Sequence, residues 1–143
     1  MPSAGKSIEI NVPIEKFFDI IIDFERYPEF VSDLVSAKVL SRTDDEMQAR
    51  FELKIIKTIA YTINVKLERP KRMTWNLIKG DLMKVNSGSW ELSELPGGRT
   101  NALYNETLEL SGFVPSAITK KLVEFHLPEM LKQFRERAES LGH

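Results

Sequence analysis

Few residues in this chain belong to the types that carry out acid–base, nucleophilic or metal chemistry. Its 143 residues include no cysteine and only two histidines, His126 and the C-terminal His143. The sequence has no His-x-His or His-Glu-x-x-His spacing for a metal ion and no Gly-x-Ser-x-Gly motif for a covalent nucleophile. It therefore predicts no metal, no cofactor and no covalent catalysis.

Glu106 is the carboxylate whose position best suggests a chemical role. It lies between Tyr104 and Leu108 in an alternating row that is otherwise apolar, so it is predicted to point into the interior. Burial without a partner is costly for a carboxylate and raises its pKa. An inward Glu106 could bind the polar end of a ligand, act as a general acid or base, or form half of a buried ion pair. A bulge that turned it to solvent would remove all three roles.

Several aromatic residues share the predicted inward parity with Glu106. Core packing alone accounts for buried aromatic rings, because they remove large areas from water. Phenol and indole groups also need hydrogen-bond partners when buried, and several of them in one interior favour a ligand cavity over a solid core. The predicted ligand-binding residues are Phe30, Phe51, Tyr61, Trp75, Trp90, Tyr104, Glu106, Phe125 and Met130.

Alternating apolar residues predict a sheet with one buried face that would position these side chains. The rows from Met47 to Ile55 and from Ile59 to Leu67 are typical of strands buried on one side. Short turns, including a tight one at Lys57-Thr58, would join the strands as an antiparallel meander. The predicted strands cover residues 6–12, 35–42, 47–57, 59–69, 72–79, 82–94 and 102–110, with a bulge near residues 86–88.

Helical spacing of apolar residues predicts three helices. Two short ones follow the first strand, at residues 14–22 and 23–34, with Pro28 setting the second at an angle. A long amphipathic helix at residues 115–141 would cover the buried face of the sheet. Pro128 should kink or break this helix. The apolar loop at residues 111–115 is expected to cover the mouth of a cavity between helix and sheet.

This element order and two local motifs resemble a known superfamily. The motifs are Asp23 to Phe30, with the letters DFERYPEF, and Gly80 followed by Gly88 to Leu92. The chain resembles the START and birch-pollen-allergen-like (SRPBCC) superfamily, in the branch of polyketide cyclases and coenzyme Q-binding proteins. The resemblance implies an α+β helix-grip fold, in which a curved antiparallel sheet wraps around a long C-terminal helix, with two short helices after the first strand. Residues 1–143 would form one such ligand-binding domain.

The overall composition limits the classes of partner. The net charge is −1, with 20 Lys and Arg against 21 Asp and Glu, and this balance predicts no DNA binding. The N-terminus lacks an apolar secretion signal, and no apolar run approaches the ~20 residues that span a bilayer. We therefore expect a cytoplasmic protein without stable membrane insertion.

Three functions remain open from the sequence. The leading hypothesis is a carrier or chaperone that binds an isoprenoid quinone, a lipid or an aromatic polyketide. The second is a polyketide aromatase/cyclase, with Glu106 as acid or base and Tyr61 or Tyr104 polarising a carbonyl. The third is a ribosome-associating module, which the resemblance also implies. A basic face at Lys120-Lys121 and residues 132–137 could serve it, but a solvated helix surface is the favoured explanation of those charges.

Overall fold

The computed structural model describes residues 3–54 and 57–141 and confirms the predicted fold class. The elements follow the predicted order of one strand, two short helices, six strands and a C-terminal helix. The strands are β1 (Ser3–Ile10), β2 (Leu34–Arg42), β3 (Glu46–Lys54), β4 (Thr58–Glu68), β5 (Arg72–Gly80), β6 (Met83–Leu95) and β7 (Arg99–Leu110). The helices are α1 (Ile14–Ile22), a 3-10 helix (Phe24–Glu29), α2 (Ser116–Lys121), a π-helical segment (Leu122–His126) and α3 (Leu127–Leu141).

The seven strands form one antiparallel sheet in the order β1-β7-β6-β5-β4-β3-β2. From β2 to β7, strands that are consecutive in sequence pair with each other, and β1 pairs with β7. Antiparallel neighbours need only short connections, so the short predicted turns are consistent with this topology. Ile55, and with it the shape of the turn between β3 and β4, lies outside the described residues, as does His143.

The predicted alternation gives the sheet its buried face. Along β3, Met47, Ala49, Phe51 and Leu53 are buried, and their neighbours in sequence are not. The same period holds along the whole of β7, because successive side chains of a strand point to opposite faces. Its buried side chains are Thr100, Ala102, Tyr104, Glu106, Leu108 and Leu110.

The two short helices after β1 differ in type. In α1, the apolar residues Ile14, Phe17, Phe18, Ile21 and Ile22 lie at helical spacing and are all buried. The second helix is a 3-10 helix of six residues, shorter than the predicted 23–34. Proline disfavours helical geometry for the residue before it and lacks an N–H, which explains why no longer α-helix forms there.

The C-terminal helical region runs from α2 through the π-helical segment into α3. Pro128 is the second residue of α3. It has no backbone N–H to donate to the preceding turn, and its ring crowds a carbonyl there. The distortion predicted at Pro128 therefore takes the form of a wider π-helical turn that ends at His126. Within the described part of the chain, no helix is both long and apolar enough to cross a bilayer.

The bulge predicted in β6 is present but lies earlier than expected. The register between β6 and β7 shifts between Met83 and Val85, whereas the sequence placed the bulge at residues 86–88. One extra residue at this point reverses the parity of everything after it. As a result Asn86, Trp90 and Leu92 share the buried face.

Candidate functional site

A cavity of about 80 Å³ lies between the buried face of the sheet and the helical region. Its wall is mainly aromatic and aliphatic, with three polar side chains. The aromatic residues are Phe24, Tyr27, Phe51, Tyr61, Trp75, Trp90, Tyr104 and Phe134. The aliphatic residues are Val31, Leu34, Ile63, Met73 and Met130, and the polar ones are Asn86, Glu106 and His126.

Most of the residues predicted to bind a ligand lie together in this wall. They are Phe51, Tyr61, Trp75, Trp90, Tyr104, Glu106 and Met130. Phe30 does not line the cavity. It is partly buried beside it, with its ring 5.0 Å from that of Phe134 and 5.8 Å from that of Tyr27, measured between centroids.

The prediction that Phe125 lines the cavity is wrong. Its side chain is 65% exposed, and the next residue, His126, is buried and lines the cavity instead. The prediction assumed a regular α-helical period, whereas both residues lie in the π-helical segment, whose longer repeat rotates side chains relative to that period. The loop at residues 111–115 also does not form part of the cavity wall, and its Phe113 is 93% exposed.

The polar part of the wall is built on three adjacent strands. Trp75 on β5 is opposite Gly88 on β6, and Gly88 is opposite Glu106 on β7. A Cβ atom at Gly88 would lie 2.1 Å from the backbone oxygen of Asn105 and 2.6 Å from Cζ2 of Trp75. The missing side chain therefore lets the indole lie over the middle strand, which explains why the motif needs glycine at this position.

The indole and a phenol both donate to one oxygen of Glu106. Trp75 Nε1 is 3.2 Å from Glu106 Oε2, and the Tyr104 hydroxyl is 3.1 Å from the same oxygen. The other oxygen, Oε1, is buried and has no hydrogen-bond partner within the described residues. The carboxyl group is thus half satisfied.

Burial controls the charge of Glu106. Desolvation raises the pKa of this carboxyl group to about 8, and the hydrogen bonds from Tyr104 and Trp75 offset only part of the effect. No Lys or Arg in the described ranges lies within ion-pair distance of it. The buried ion pair considered from the sequence is therefore wrong, and Glu106 is mainly neutral at pH 7.

Asn86 extends the polar cluster, and the sequence did not predict it. Its Oδ1 accepts a hydrogen bond from Trp75 Nε1 at 3.2 Å, while its Nδ2 has only the Met83 sulfur at 3.6 Å. Because the bulge was placed at this residue rather than before it, the direction of its side chain could not be read from the pattern. Correct placement of the bulge would have put Asn86 in the inward row with Trp90.

His126 is the second functional candidate that the sequence missed. Its Nδ1 lies 2.9 Å from Oδ2 of Asp33, on the short segment between the 3-10 helix and β2. The two residues are 93 positions apart, so no local pattern links them. An Asp that holds one ring nitrogen fixes the orientation of the imidazole ring. This pair gives the cavity a titratable group on the helical side, opposite the sheet.

The tyrosines of the wall are neutral, and two of them donate hydrogen bonds, Tyr27 to the Ile21 backbone oxygen and Tyr104 to Glu106. Desolvation, followed by the nearby Glu106, raises the pKa of both Tyr61 and Tyr104 above the ordinary value. Across residues 3–54 and 57–141, no three His, Asp or Glu side chains come together to hold a metal ion. Hydrogen-bonding groups in the wall include Glu106, Asn86, His126 and the tyrosine hydroxyls.

Solved structures of the same fold cover nearly all of the chain. A START superfamily protein from Mycobacterium smegmatis aligns with a TM-score of 0.84 at 22% identity, over 97% of this chain and 98% of its own. The Zhui aromatase/cyclase from a Streptomyces species has a TM-score of 0.84 at 13% identity, over 96% and 93%. A STAR-related lipid transfer protein from Xanthomonas axonopodis has a TM-score of 0.77 at 13% identity, over 95% and 85%. At these identities the likeness establishes the fold.

A comparison with individual curated proteins found no match. A sequence profile of a protein family, in contrast, matches the region that contains the cavity. The sequence profile described as polyketide cyclase/dehydrase and lipid transport matches residues 10–135, a range that contains every residue of the cavity wall. The chain therefore belongs to the polyketide cyclase/dehydrase and lipid transport family.

Proposed function

We propose that this protein binds a hydrophobic small molecule between sheet and helix, as a carrier or chaperone, with the polar end of the ligand at Glu106. The observation that carries the proposal is the buried oxygen Oε1 of Glu106, a residue of the cavity wall, because this oxygen has no hydrogen-bond partner within the described residues. Leaving a buried polar atom unpaired costs about 1–3 kcal/mol, so a purely structural core would favour an apolar residue there. A ligand atom would supply the missing partner.

The shape of the wall favours a planar, aromatic-sized group. Trp75 and Tyr104 are tilted by 33° with centroids 5.6 Å apart, and Phe51 and Tyr61 by 31° at 5.4 Å. Aromatic faces tilted at these angles can pack against a flat ligand. The cavity of about 80 Å³ is smaller than the roughly 300 Å³ of small ligand pockets, so a polyketide or quinone would have to displace part of the wall. The helical side, held to Asp33 through His126, is the side we expect to move.

Native mass spectrometry of the protein, isolated gently from its own cells, tests whether it carries a ligand. We expect an added mass of an aromatic polyketide, a quinone or a lipid, lost on denaturation. Fluorescence titration of Trp75 and Trp90 with flat aromatic compounds then tests the location. Trp75→Phe should change the affinity, while Lys66→Ala on the outer face and Phe125→Ala on the exposed helix surface should not. Equal effects of all three would refute the site.

An aromatase/cyclase activity is the second candidate, and one observation favours it. The cavity has a neutral carboxyl group, Glu106, on the sheet side and an imidazole oriented by Asp33, His126, on the helical side. An acid and a base in one apolar cavity could assist cyclisation or loss of water. Turnover of a polyketide-like substrate that is abolished in both Glu106→Gln and His126→Gln, with binding retained, would establish this reaction. Ribosome association, the absence of DNA binding and a cytoplasmic location remain predictions.

A further inference from the structure

The hydrogen bonds of Glu106 fix where its proton resides. Oε2 accepts from both Trp75 Nε1 and the Tyr104 hydroxyl, so it acts as the carbonyl-type oxygen of the group. In the neutral carboxyl group the proton is then on Oε1. That oxygen is the unpartnered one, and the side chain as a whole is 6% exposed. Glu106, a residue of the cavity wall, therefore has an O–H donor with no acceptor among the described residues.

We propose that Glu106 donates this hydrogen bond to a neutral carbonyl oxygen, so that the cavity selects planar ketones or quinones. The inference rests on the proposed function, since it assigns the polar end of the same ligand. Asn86 supports it with a second weakly used donor, because the Met83 sulfur is the one hydrogen-bond partner of its Nδ2 within the described residues. A carbonyl oxygen has two lone pairs and can accept from both.

The charge of the cavity wall favours neutral carbonyl ligands over two other classes, carboxylates and ammonium compounds. A ligand carboxylate needs a cationic partner when it is buried. The described part of the wall contains no Lys or Arg, and its one imidazole, His126, is already paired with the Asp33 carboxylate. A ligand ammonium group would need an ionised Glu106, and burial disfavours that form. A neutral carbonyl group requires neither charge, and so fits the residues that are present.

Other titratable groups could also make binding depend on pH. Tyr61 and Tyr104 lie on the sheet, and Tyr27 lies on the 3-10 helix. His126 lies in the π-helical segment, with Asp33 as its partner. The tyrosines stay protonated at working pH because their pKa values are raised. The experiment therefore includes His126→Gln, which removes the imidazole of the His126–Asp33 pair.

The test compares two probes of nearly the same shape, 1,4-naphthoquinone and naphthalene, by titration calorimetry. Thiol adducts cannot form, because the chain has no cysteine. At pH 6.5 we expect the protein to bind the quinone about tenfold more tightly than naphthalene. Above pH 8 this preference should fall by up to about tenfold for each pH unit, with or without His126→Gln. Lys66→Ala, on the outer face, should match the unmodified protein.

Two substitutions of Glu106 identify the donor. In Glu106→Gln the amide oxygen can accept from Trp75 and Tyr104 while the NH₂ group donates, so the quinone preference should persist and no longer change between pH 6.5 and 9.5. In Glu106→Leu the preference should disappear, although naphthalene still binds. Thermal unfolding of both variants checks that they fold.

Each other outcome has a definite meaning. Binding of both probes without preference, or loss of preference in Glu106→Gln as well as Glu106→Leu, would overturn the inference and leave the proposed function standing. Tighter binding of 1-naphthylmethylammonium than of the quinone, lost in Glu106→Gln, would replace the carbonyl class with a cationic one. Failure of every probe to bind at millimolar concentration would overturn the proposed function for flat aromatic ligands, and this inference with it.

Discussion

Two buried aromatic clusters of the cavity wall each contain polar oxygen atoms, and the hydrogen bonding of these atoms differs between the clusters. Around Tyr27, the rings of Phe24, Phe51 and Phe134 lie at centroid distances of 5.2, 6.0 and 5.0 Å. The Tyr27 hydroxyl donates to the backbone oxygen of Ile21. Its polar atom is therefore satisfied within the protein.

The cluster around Glu106 has equally large rings but an incomplete set of hydrogen bonds. Trp75 and Tyr104 satisfy one carboxyl oxygen, and the other remains without a partner among the described residues. A satisfied buried polar group contributes about 1 kcal/mol to stability, whereas an unsatisfied one costs stability. The comparison favours a structural role for the Tyr27 cluster and supports the proposal that the Glu106 cluster binds a ligand. Four substitutions can break or sharpen this contrast.

The largest expected effect is on the Tyr27 side. Phe134→Ala removes a ring that is 1% exposed and contacts Tyr27, Phe30 and Trp90, so it should cost about 3–5 kcal/mol in the free energy of unfolding. Phe125→Ala removes the same side chain from an exposed position in the same helical region and should change stability by less than about 0.5 kcal/mol. Urea denaturation measures both, and similar losses would refute the burial pattern.

Gly88→Ala comes next, because it acts on the contact between Trp75 and Glu106. The added methyl group collides with the Asn105 backbone and the indole ring, so we expect a loss of about 1–3 kcal/mol. Displacing the indole also removes a hydrogen bond that lowers the Glu106 pKa, which should then rise above 8. Urea denaturation measures the loss of stability, and tryptophan fluorescence measures the displacement of the indole. An unchanged emission spectrum would contradict the placement of Trp75.

A smaller loss is expected from Tyr27→Phe. Removing the hydroxyl leaves the Ile21 carbonyl without this donor and should cost about 1–2 kcal/mol. Because Tyr27 stays neutral at working pH, the loss should be the same at pH 6 and pH 9. Urea denaturation at these two pH values checks it, and a loss that differs between them would contradict the separation of the two clusters.

The smallest effect, when it is taken for a single pH unit, is the pH dependence that Glu106 contributes to stability. Its pKa is about 8 in the folded protein and about 4.3 in an unfolded chain, so the folded state holds the extra proton between these values. Stability from this group is complete below the unfolded value and is lost as pH rises through the folded one, by at most about 1.4 kcal/mol for each pH unit. Glu106→Gln should remove this slope and be the more stable protein near pH 8. Parallel profiles of stability against pH for Glu106→Gln and the unmodified protein would contradict the assignment of this slope to Glu106.

The sheet and the inward position of Glu106 could be predicted because a strand has a period of two over many residues. Rows such as Met47 to Leu53 and Ala102 to Leu110 therefore fixed the buried face before any contact was known. The helical side could not be read in the same way. A π-helical turn changes the phase of Phe125 and His126, and the partner of His126 is distant in sequence. The bulge before Asn86 likewise reverses parity without a clear signal in residue type.

The finest feature of the site, the unpartnered Oε1 of Glu106, depends on atomic positions that no residue pattern contains. The alternation predicted that the carboxyl group points inward. The register of β5, β6 and β7 across Gly88 brings Trp75 level with Glu106, and Tyr104 lies two residues before Glu106 on the same strand.

The central claim is that Glu106 is a neutral, desolvated carboxyl group reserved for a ligand, and its own titration tests this most directly. In ¹³C NMR of the side-chain carboxyl, assigned by comparison with Glu106→Gln, the account predicts a midpoint near pH 8. Saturation with 1,4-naphthoquinone should move the midpoint higher, because the ligand binds the protonated form. A midpoint near the ordinary value of about 4.3, or one that naphthoquinone leaves unchanged despite binding, would contradict the account.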